Sequence, residues 1–189
     1  MCRALGSPLD QLVSVVAYER PVLHKLLWTF KESGNREVLP YLTQRLQTVA
    51  TEHVQLAPEV RATAGTAQAA VVPVPALRRR VRERGFNQAE LLAGAVARGL
   101  KLPLRSDVLA RVRSSSSQKT LNVHDRRTAL KGAFAVATTG AVGISPLPRH
   151  VILVDDIATT LATLETCAGV LKRAGVRSVV GVVLAHAQR

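Results

Sequence analysis

The sequence predicts an α/β fold in which helices flank a central, mainly parallel sheet. Hydrophobic residues make up 47% of the 189 residues and aromatic residues only 3%, so Ala, Val and Leu must form the core. Val-rich runs alternate with Ala-, Leu- and Arg-rich stretches, as buried parallel strands alternate with helices. The clearest case is an apolar run over His150–Asp155, a helical pattern over Ala162–Ala174 and a second apolar run over Ser178–Ala185. This order predicts a right-handed βαβ unit.

Residues 1–61 are predicted to form a small N-terminal helical lobe, followed by the main domain over residues 62–189. Helical spacing of apolar residues predicts one helix over Pro21–Glu32 and a second along Val38–Val49. The apolar segment Leu9–Ala17 is compatible with a short strand or with the end of a helix. We assign no chemistry to this lobe.

The middle of the chain continues the alternation. The segment Ala69–Val74 reads as a buried strand ended by its prolines, and a basic stretch, Leu77–Arg84, follows it. Gly85 interrupts the chain before a helix over Asn87–Leu100. Weaker predictions are strands at Val108-Leu109 and Ala133–Ala137, a short helix over Asp125–Leu130 and a Ser-rich loop over Arg113–Lys119.

Charge and cysteine content limit the classes of function. The formal net charge of +13, from 26 Lys and Arg against 13 Asp and Glu, favours polyanionic partners such as nucleic acid or phosphorylated metabolites. Two distant cysteines, Cys2 and Cys167, provide neither a disulfide framework nor a four-thiolate zinc site. The first ten residues lack a signal-peptide pattern, and no segment approaches the ~20 apolar residues of a membrane span. We expect a cytoplasmic protein with no membrane partner.

The segment Val151–Thr163 holds most of the functional information. An apolar strand leads into Asp155 and Asp156, and a hydroxyl-rich turn then opens a helix. Ligands of open α/β sheets bind at this end of a parallel strand, and a helix N-terminus favours a phosphate. The carboxylates could accept hydrogen bonds from ribose hydroxyls or help to hold Mg²⁺. The alternative is that these Asp and Thr residues only cap the helix.

The string VDDIATTLAT at residues 154–163 resembles the phosphoribosyl-pyrophosphate (PRPP) loop of type I phosphoribosyltransferases. Upstream, Val72–Ala93 is similar to the competence-protein-F (ComF/GntX) branch of that superfamily, above all at Arg84-Gly85-Phe86-Asn87-Gln88. The strings SQK at 117–119, RR at 126–127 and GAF at 132–134 continue that branch's pattern in order. The resemblance covers the chain from about Tyr18 to the C-terminus, and three motifs in order are more specific than one.

The resemblance implies a type I phosphoribosyltransferase fold, PRPP or another phosphorylated ribose as ligand, and Mg²⁺ as cofactor. It implies that Asp155 and Asp156 are the catalytic carboxylates, which address the ribose and hold Mg²⁺ through it. The other implied residues fall into three groups. They are Thr159, Thr160, Leu161, Ala162 and Thr163 for the 5′-phosphate; Val74, Pro75, Arg80 and Arg84 for pyrophosphate; and Ser117, Gln118 and Lys119 in a flexible loop that closes over the site.

The chain departs from the family pattern at three places. Leu161 stands where the phosphate loop usually has Gly, Ala129 stands where Asn is common, and the usual four-cysteine zinc ribbon is absent. Glycine permits a positive φ and a close backbone approach to phosphate, which a Leu side chain resists. The resemblance therefore leaves open whether the protein transfers a phosphoribosyl group or only binds PRPP.

A second function remains open, namely binding of single-stranded DNA or of partners in DNA uptake. It rests on the family's association with competence and on one basic cluster, which comprises Arg78, Arg79, Arg80, Arg82 and Arg84. This cluster could equally contact the diphosphate of PRPP, or form a solvated helix face. Aromatic residues that could stack on bases are scarce beside it, with Phe86 the neighbour in sequence.

Overall fold

The computed structural model describes residues 7–17, 38–54, 68–112, 130–137 and 146–187. Its strands are β1 (Gln11–Ala17), β2 (Ala69–Pro73), β3 (Leu109–Arg111), β4 (Phe134–Val136), β5 (His150–Ala158) and β6 (Ser178–His186). Its helices are α1 (Leu39–Val54), α2 (Arg78–Arg84), α3 (Gln88–Leu100) and α4 (Ala162–Arg173). The central sheet has the order β1-β6-β5-β2 with every pairing parallel, and β3 and β4 form a separate antiparallel pair. The predicted fold class, a parallel sheet flanked by helices, is confirmed.

Alternating residues of the strands divide the core into two layers, because neighbouring side chains of a strand point to opposite faces. Ile152 and Val154 of β5 pack into a cluster with α1 and α3 on one face. Val151 and Leu153 pack into a second cluster with α4 and the β3–β4 pair on the other face. The strands β2, β5 and β6 are therefore buried on both sides, which explains why they read as apolar runs.

The described part of residues 1–61 packs onto this same core. β1 pairs with β6 from Gln11↔Val180 to Ala17↔His186, and buried Leu46 and Ala50 of α1 belong to the cluster that contains α3. Of the two interpretations of residues 9–17, the strand is confirmed. The proposed domain boundary at residues 61 and 62 stays a prediction, and the predicted helix over 21–32 lies outside the described residues.

The other predicted elements agree with the structure to within a few residues, with one correction. The strand predicted to end at Asp155 continues to Ala158, because β6 runs beside it and pairs as far as Ala158↔His186. The predicted helix over residues 125–130 and the Ser-rich loop lie outside the described residues, apart from Leu130 at the end of that helix.

The β2 edge of the sheet is covered by the chain that follows α3. Val71 donates its N–H to the carbonyl of Pro103 (2.9 Å) and accepts from the N–H of Arg105 (2.8 Å), and Leu104 forms an isolated parallel bridge with Val71.

Among the helices described here, none is both long enough and apolar enough to cross a membrane.

Candidate phosphate and ribose site

Asp155 and Asp156 lie in the last part of β5 and not in the turn after it. Asp155 Oδ1 accepts the backbone N–H of Asp156 (2.9 Å), and Asp156 Oδ1 accepts the backbone N–H of Ile157 (2.7 Å). Both residues are partly exposed. Each carboxylate thus uses one oxygen locally, which helps to fix its orientation.

The turn between β5 and α4 consists of Thr159, Thr160 and Leu161. Leu161 is the N-cap residue of α4 and has a left-handed backbone, with φ 56° and ψ −8°. It makes no side-chain capping hydrogen bond. The chain therefore adopts at Leu161 the conformation that the family's glycine would permit, although a leucine occupies the position. The interpretation that Asp or Thr side chains cap this helix is wrong for its N-cap residue.

A small cavity of about 40 Å³ lies at this turn. It brings Asp155 together with the beginning of α4, and its walls include the predicted 5′-phosphate residues, which are Thr159, Thr160, Leu161, Ala162 and Thr163. The first N–H groups of a helix have no partner within the helix, and its dipole places roughly half a positive charge at this end. The cavity thus combines hydroxyl groups, backbone donors and one carboxylate.

The turn after β2 lies against the neighbouring strand. Val74 donates its N–H to the carbonyl of Val154 (2.9 Å), which extends the pairing of β2 with β5. Asn87 connects this turn to α3, because its Nδ2 donates to the carbonyl of Val74 (3.2 Å) while its Oδ1 accepts the N–H of Ala89 (3.2 Å) as an N-cap. The motif Arg84–Gln88 thus includes the residue that fixes the start of α3 against the predicted pyrophosphate turn.

The basic stretch forms α2, a helix with no buried residue. Gly85 ends it with φ 81° and donates its N–H to the carbonyl of Val81 (2.8 Å). Arg79 pairs with Glu83 at 2.7 Å on the exposed side. Arg80 is also exposed, and its charge acts on Arg111 of β3. One arginine of the predicted pyrophosphate group thereby acts on a residue of β3.

Arg111 is a residue that the sequence interpretation missed. Its guanidinium carbon lies 5.1 Å from the centre of the Phe134 ring, on the neighbouring strand β4. Burial lowers the pKa of Arg111 and the charge of Arg80 lowers it further, whereas Cys167 and Asp155 raise it. The sequence did contain one signal for this residue, because Arg111 is a cation at the end of a short strand, two residues before the predicted Ser-rich loop.

The remaining predicted site residues are less closely connected to this cavity. Asp156 is absent from its walls, and Arg84 of α2 is half-buried near the start of α3. Ser117, Gln118 and Lys119 lie outside the described residues. In the described ranges, no group of three or more His, Cys, Asp and Glu side chains could hold a metal ion. Two carboxylates do suit Mg²⁺ when a phosphorylated ligand supplies further oxygens.

Comparison with known proteins identifies relatives along most of the chain. It is 31% identical over 178 residues to DNA utilization protein YhgH of Escherichia coli O157:H7, which covers 94% of this chain and 73% of that protein. It is 38% identical over 111 residues to Competence protein F of Haemophilus influenzae, covering 58% of this chain and 47% of the relative's length. Competence protein ComFC of Bacillus subtilis is 32% identical over 105 residues, which is 56% of this chain and 39% of the relative. No family model matches the sequence.

Proposed function

Because the chain belongs to the ComF family, we propose that it binds PRPP, or another phosphorylated ribose, together with Mg²⁺ at the carboxyl end of β5. One observation carries this proposal. Asp155 and the hydroxyl-rich turn line one cavity at a helix N-terminus that no N-cap side chain occupies. A carboxylate beside the first N–H groups of a helix suits a ligand that carries both vicinal hydroxyls and a phosphate.

The proposal gives each part of the site a separate task. The N–H groups at the start of α4 and the hydroxyls of Thr159, Thr160 and Thr163 bind the 5′-phosphate. Asp155 and Asp156 accept hydrogen bonds from the ribose hydroxyls, and Arg80 and Arg84 attract the diphosphate. Mg²⁺, which would be held by the carboxylates and ligand oxygens, would neutralise charge on the diphosphate.

Transfer of the phosphoribosyl group is the further activity that this site would support. An acceptor would form a bond to the anomeric carbon of the ribose, and pyrophosphate would leave with the electron pair of the broken bond. Carboxylates at the ribose and cations at the diphosphate stabilise the charges that develop on these two fragments. A time course of pyrophosphate release from PRPP, with candidate nucleophiles added, separates transfer from binding alone.

Ligand-induced stabilisation tests the binding proposal. Thermal unfolding is measured with PRPP and Mg²⁺ for the unchanged protein and for the variants Asp155→Asn, Asp156→Asn and Glu52→Gln. A ligand at 100 times its Kd adds about 2.7 kcal/mol, which corresponds to roughly 5–10 °C for a chain of this length. We expect this shift for the unchanged protein and for Glu52→Gln, which removes a carboxylate from the exposed surface of α1. An undiminished shift in both Asp variants would contradict the proposal.

Binding of single-stranded DNA is a second candidate, favoured by the exposed arginines of α2 and by the DNA utilization relatives. The substitutions Arg78→Gln and Arg82→Gln, made together, should weaken binding of an oligonucleotide without changing the thermal shift with PRPP. The affinity should fall with salt, with a log–log slope of about −0.7 for each phosphate contact. A matched double variant, Arg45→Gln with Arg98→Gln, carries the same change in charge on α1 and α3. Equal loss in both variants would mean that net charge, and not α2, determines the binding.

A further inference from the structure

Three exposed arginines lie at the edge of the sheet where β5 and β6 begin. Arg149 directly precedes β5, Arg177 directly precedes β6, and Arg173 is the last residue of α4. The backbone N–H of Arg177 donates to the carbonyl of Arg149 (2.7 Å), so these two residues are neighbours across the sheet. The carbonyl of Arg177 in turn accepts from Lys172 Nζ (2.6 Å) at the end of α4. The backbone of the fold therefore holds these positive charges close together.

A groove of about 580 Å³ runs along α4 and adds a fourth cation to this group. Its walls include Arg173 from the end of the helix and exposed Lys131 from the segment before β4. Its helical wall extends from Ala162 to Arg173, which is about 16 Å at 1.5 Å per residue. We call Lys131, Arg149, Arg173 and Arg177 the amino-edge basic surface.

The carboxylates closest to this surface already have partners. Asp10 Oδ2 accepts from Lys172 Nζ (2.7 Å) and from the N–H of Val179 (2.7 Å), and Glu165 in the groove wall accepts from the Ser7 hydroxyl (3.2 Å). Within the part of the chain that the structure describes, no side-chain hydrogen bond or ion pair uses any of the four cations of the surface. Four exposed cations without acidic partners produce a local positive potential, which attracts a polyanion.

We propose that the amino-edge basic surface binds single-stranded nucleic acid, with the strand in the groove along α4 and its phosphates at the four cations. Phosphate contacts by Lys and Arg supply most of the affinity of such complexes. A groove next to the cations suits a narrow chain of repeated negative charges better than it suits the flat surface of an anionic membrane.

This surface and the candidate phosphate and ribose site lie at opposite ends of β5. The strand has nine residues, so the two ends are about 26 Å apart at 3.3 Å per residue. Helix α2 follows the carboxyl end of β2 and therefore also lies at the far end of the sheet from the amino-edge basic surface. A strand bound at the amino edge would leave the phosphate and ribose site open, so the inference does not depend on PRPP binding.

The test measures the affinity of a fluorescently labelled thymidine 20-mer by anisotropy at several salt concentrations. One variant combines Arg149→Gln with Arg177→Gln, and a second combines Lys131→Gln with Arg173→Gln. The matched control combines Arg78→Gln with Arg82→Gln, which removes two exposed arginines from α2. Arg149 and Arg177 contact each other through backbone atoms, so their substitution keeps that hydrogen bond. The urea midpoint of each variant verifies that the fold is intact.

We expect each amino-edge variant to weaken binding at least about tenfold at 0.1 M salt, because two phosphate contacts are lost. The slope of log affinity against log salt should become less steep by about 1.4, since each contact to a single strand contributes about 0.7. The α2 control should stay within about twofold of the unchanged protein. Loss in the variant with Lys131→Gln and Arg173→Gln specifically supports the path along the groove.

Three results would overturn the inference. Equal loss in the amino-edge variants and in the α2 control would mean that net charge determines binding. Loss in the α2 control alone would place the strand on α2. Unchanged oligonucleotide binding in the amino-edge variants, together with reduced binding to vesicles of phosphatidylcholine and phosphatidylserine, would assign the surface to a membrane. None of these results bears on PRPP binding, which the thermal shift with PRPP tests separately.

Discussion

Replacing Leu161 by glycine, and separately by alanine, measures the free energy of its left-handed backbone. The residue has φ 56° and is the N-cap residue of α4, in the turn that follows β5. Its side chain is partly buried and packs against the cluster that contains α4. Alanine removes most of this packing and retains the strain, whereas glycine removes the packing and the strain together.

The burial and the backbone conformation of Leu161 allow the free energies of packing and of strain to be estimated. Full burial of a leucine side chain contributes about 1.5–3 kcal/mol, so a partly buried one contributes about 1 kcal/mol, which both variants lose. A left-handed backbone costs a residue other than glycine about 1–2 kcal/mol, and substitution by glycine removes this strain. Glycine is also more flexible in the unfolded chain, which lowers the stability of the folded state by about 0.5–1 kcal/mol. The glycine variant should therefore be about 0.5–1 kcal/mol more stable than the alanine variant and close to the unchanged protein.

Urea unfolding, followed by circular dichroism, compares the stabilities of the two variants. If the free energy of unfolding depends on urea with the same slope in both, the difference between their midpoints gives the difference in stability. Arg45, an exposed residue within α1, provides the control. At Arg45 the alanine variant should be more stable than the glycine variant, since glycine in a helix is about 0.8–1 kcal/mol less favourable than alanine. If alanine is the more stable replacement at both positions, the left-handed conformation of Leu161 does not hold in solution.

Two further predictions concern groups next to the site. Asn87→Ala removes both the N-cap of α3 and the hydrogen bond to the carbonyl of Val74. It should lower the free energy of unfolding, measured in urea titrations, by about 1.5–2.5 kcal/mol. Asn87→Ser restores the cap alone and should recover about half of this loss. Burial raises the pKa of the Cys167 thiol, so its thiolate is scarce at pH 8 and a disulfide reagent should label it only as the protein unfolds. The assay uses Cys2→Ser, and rapid labelling of the folded protein would contradict the buried position.

The sequence was sufficient to predict most of the strands and helices, because burial on both faces left a distinct apolar run at β2, β5 and β6. It did not determine where β5 ends. The apolar run stops at Asp155, which suggested the end of the strand, but pairing with β6 continues through Ile157 and Ala158, and such pairing depends on a neighbour far along the chain. The same reason left residues 9–17 ambiguous until β6 was seen beside them.

The candidate site was predicted unevenly. The residues of the predicted 5′-phosphate turn are adjacent in sequence, and the structure brings them together with Asp155 around one cavity. Arg111 was not among the predicted site residues because the groups that act on it, Phe134, Arg80 and Asp155, lie on three other elements. The conformation of Leu161 was expected to resist the geometry of the loop, and the structure shows that the surrounding chain imposes it nonetheless.

The cover over the β2 edge affects how the protein can associate with other chains. A strand at the edge of a sheet ordinarily offers unpaired N–H and C=O groups to any extended chain, which is a route to aggregation. At Val71 both groups are already used, by the carbonyl of Pro103 and the N–H of Arg105. A second copy that tried to extend the sheet on this side would first have to displace residues 103–105.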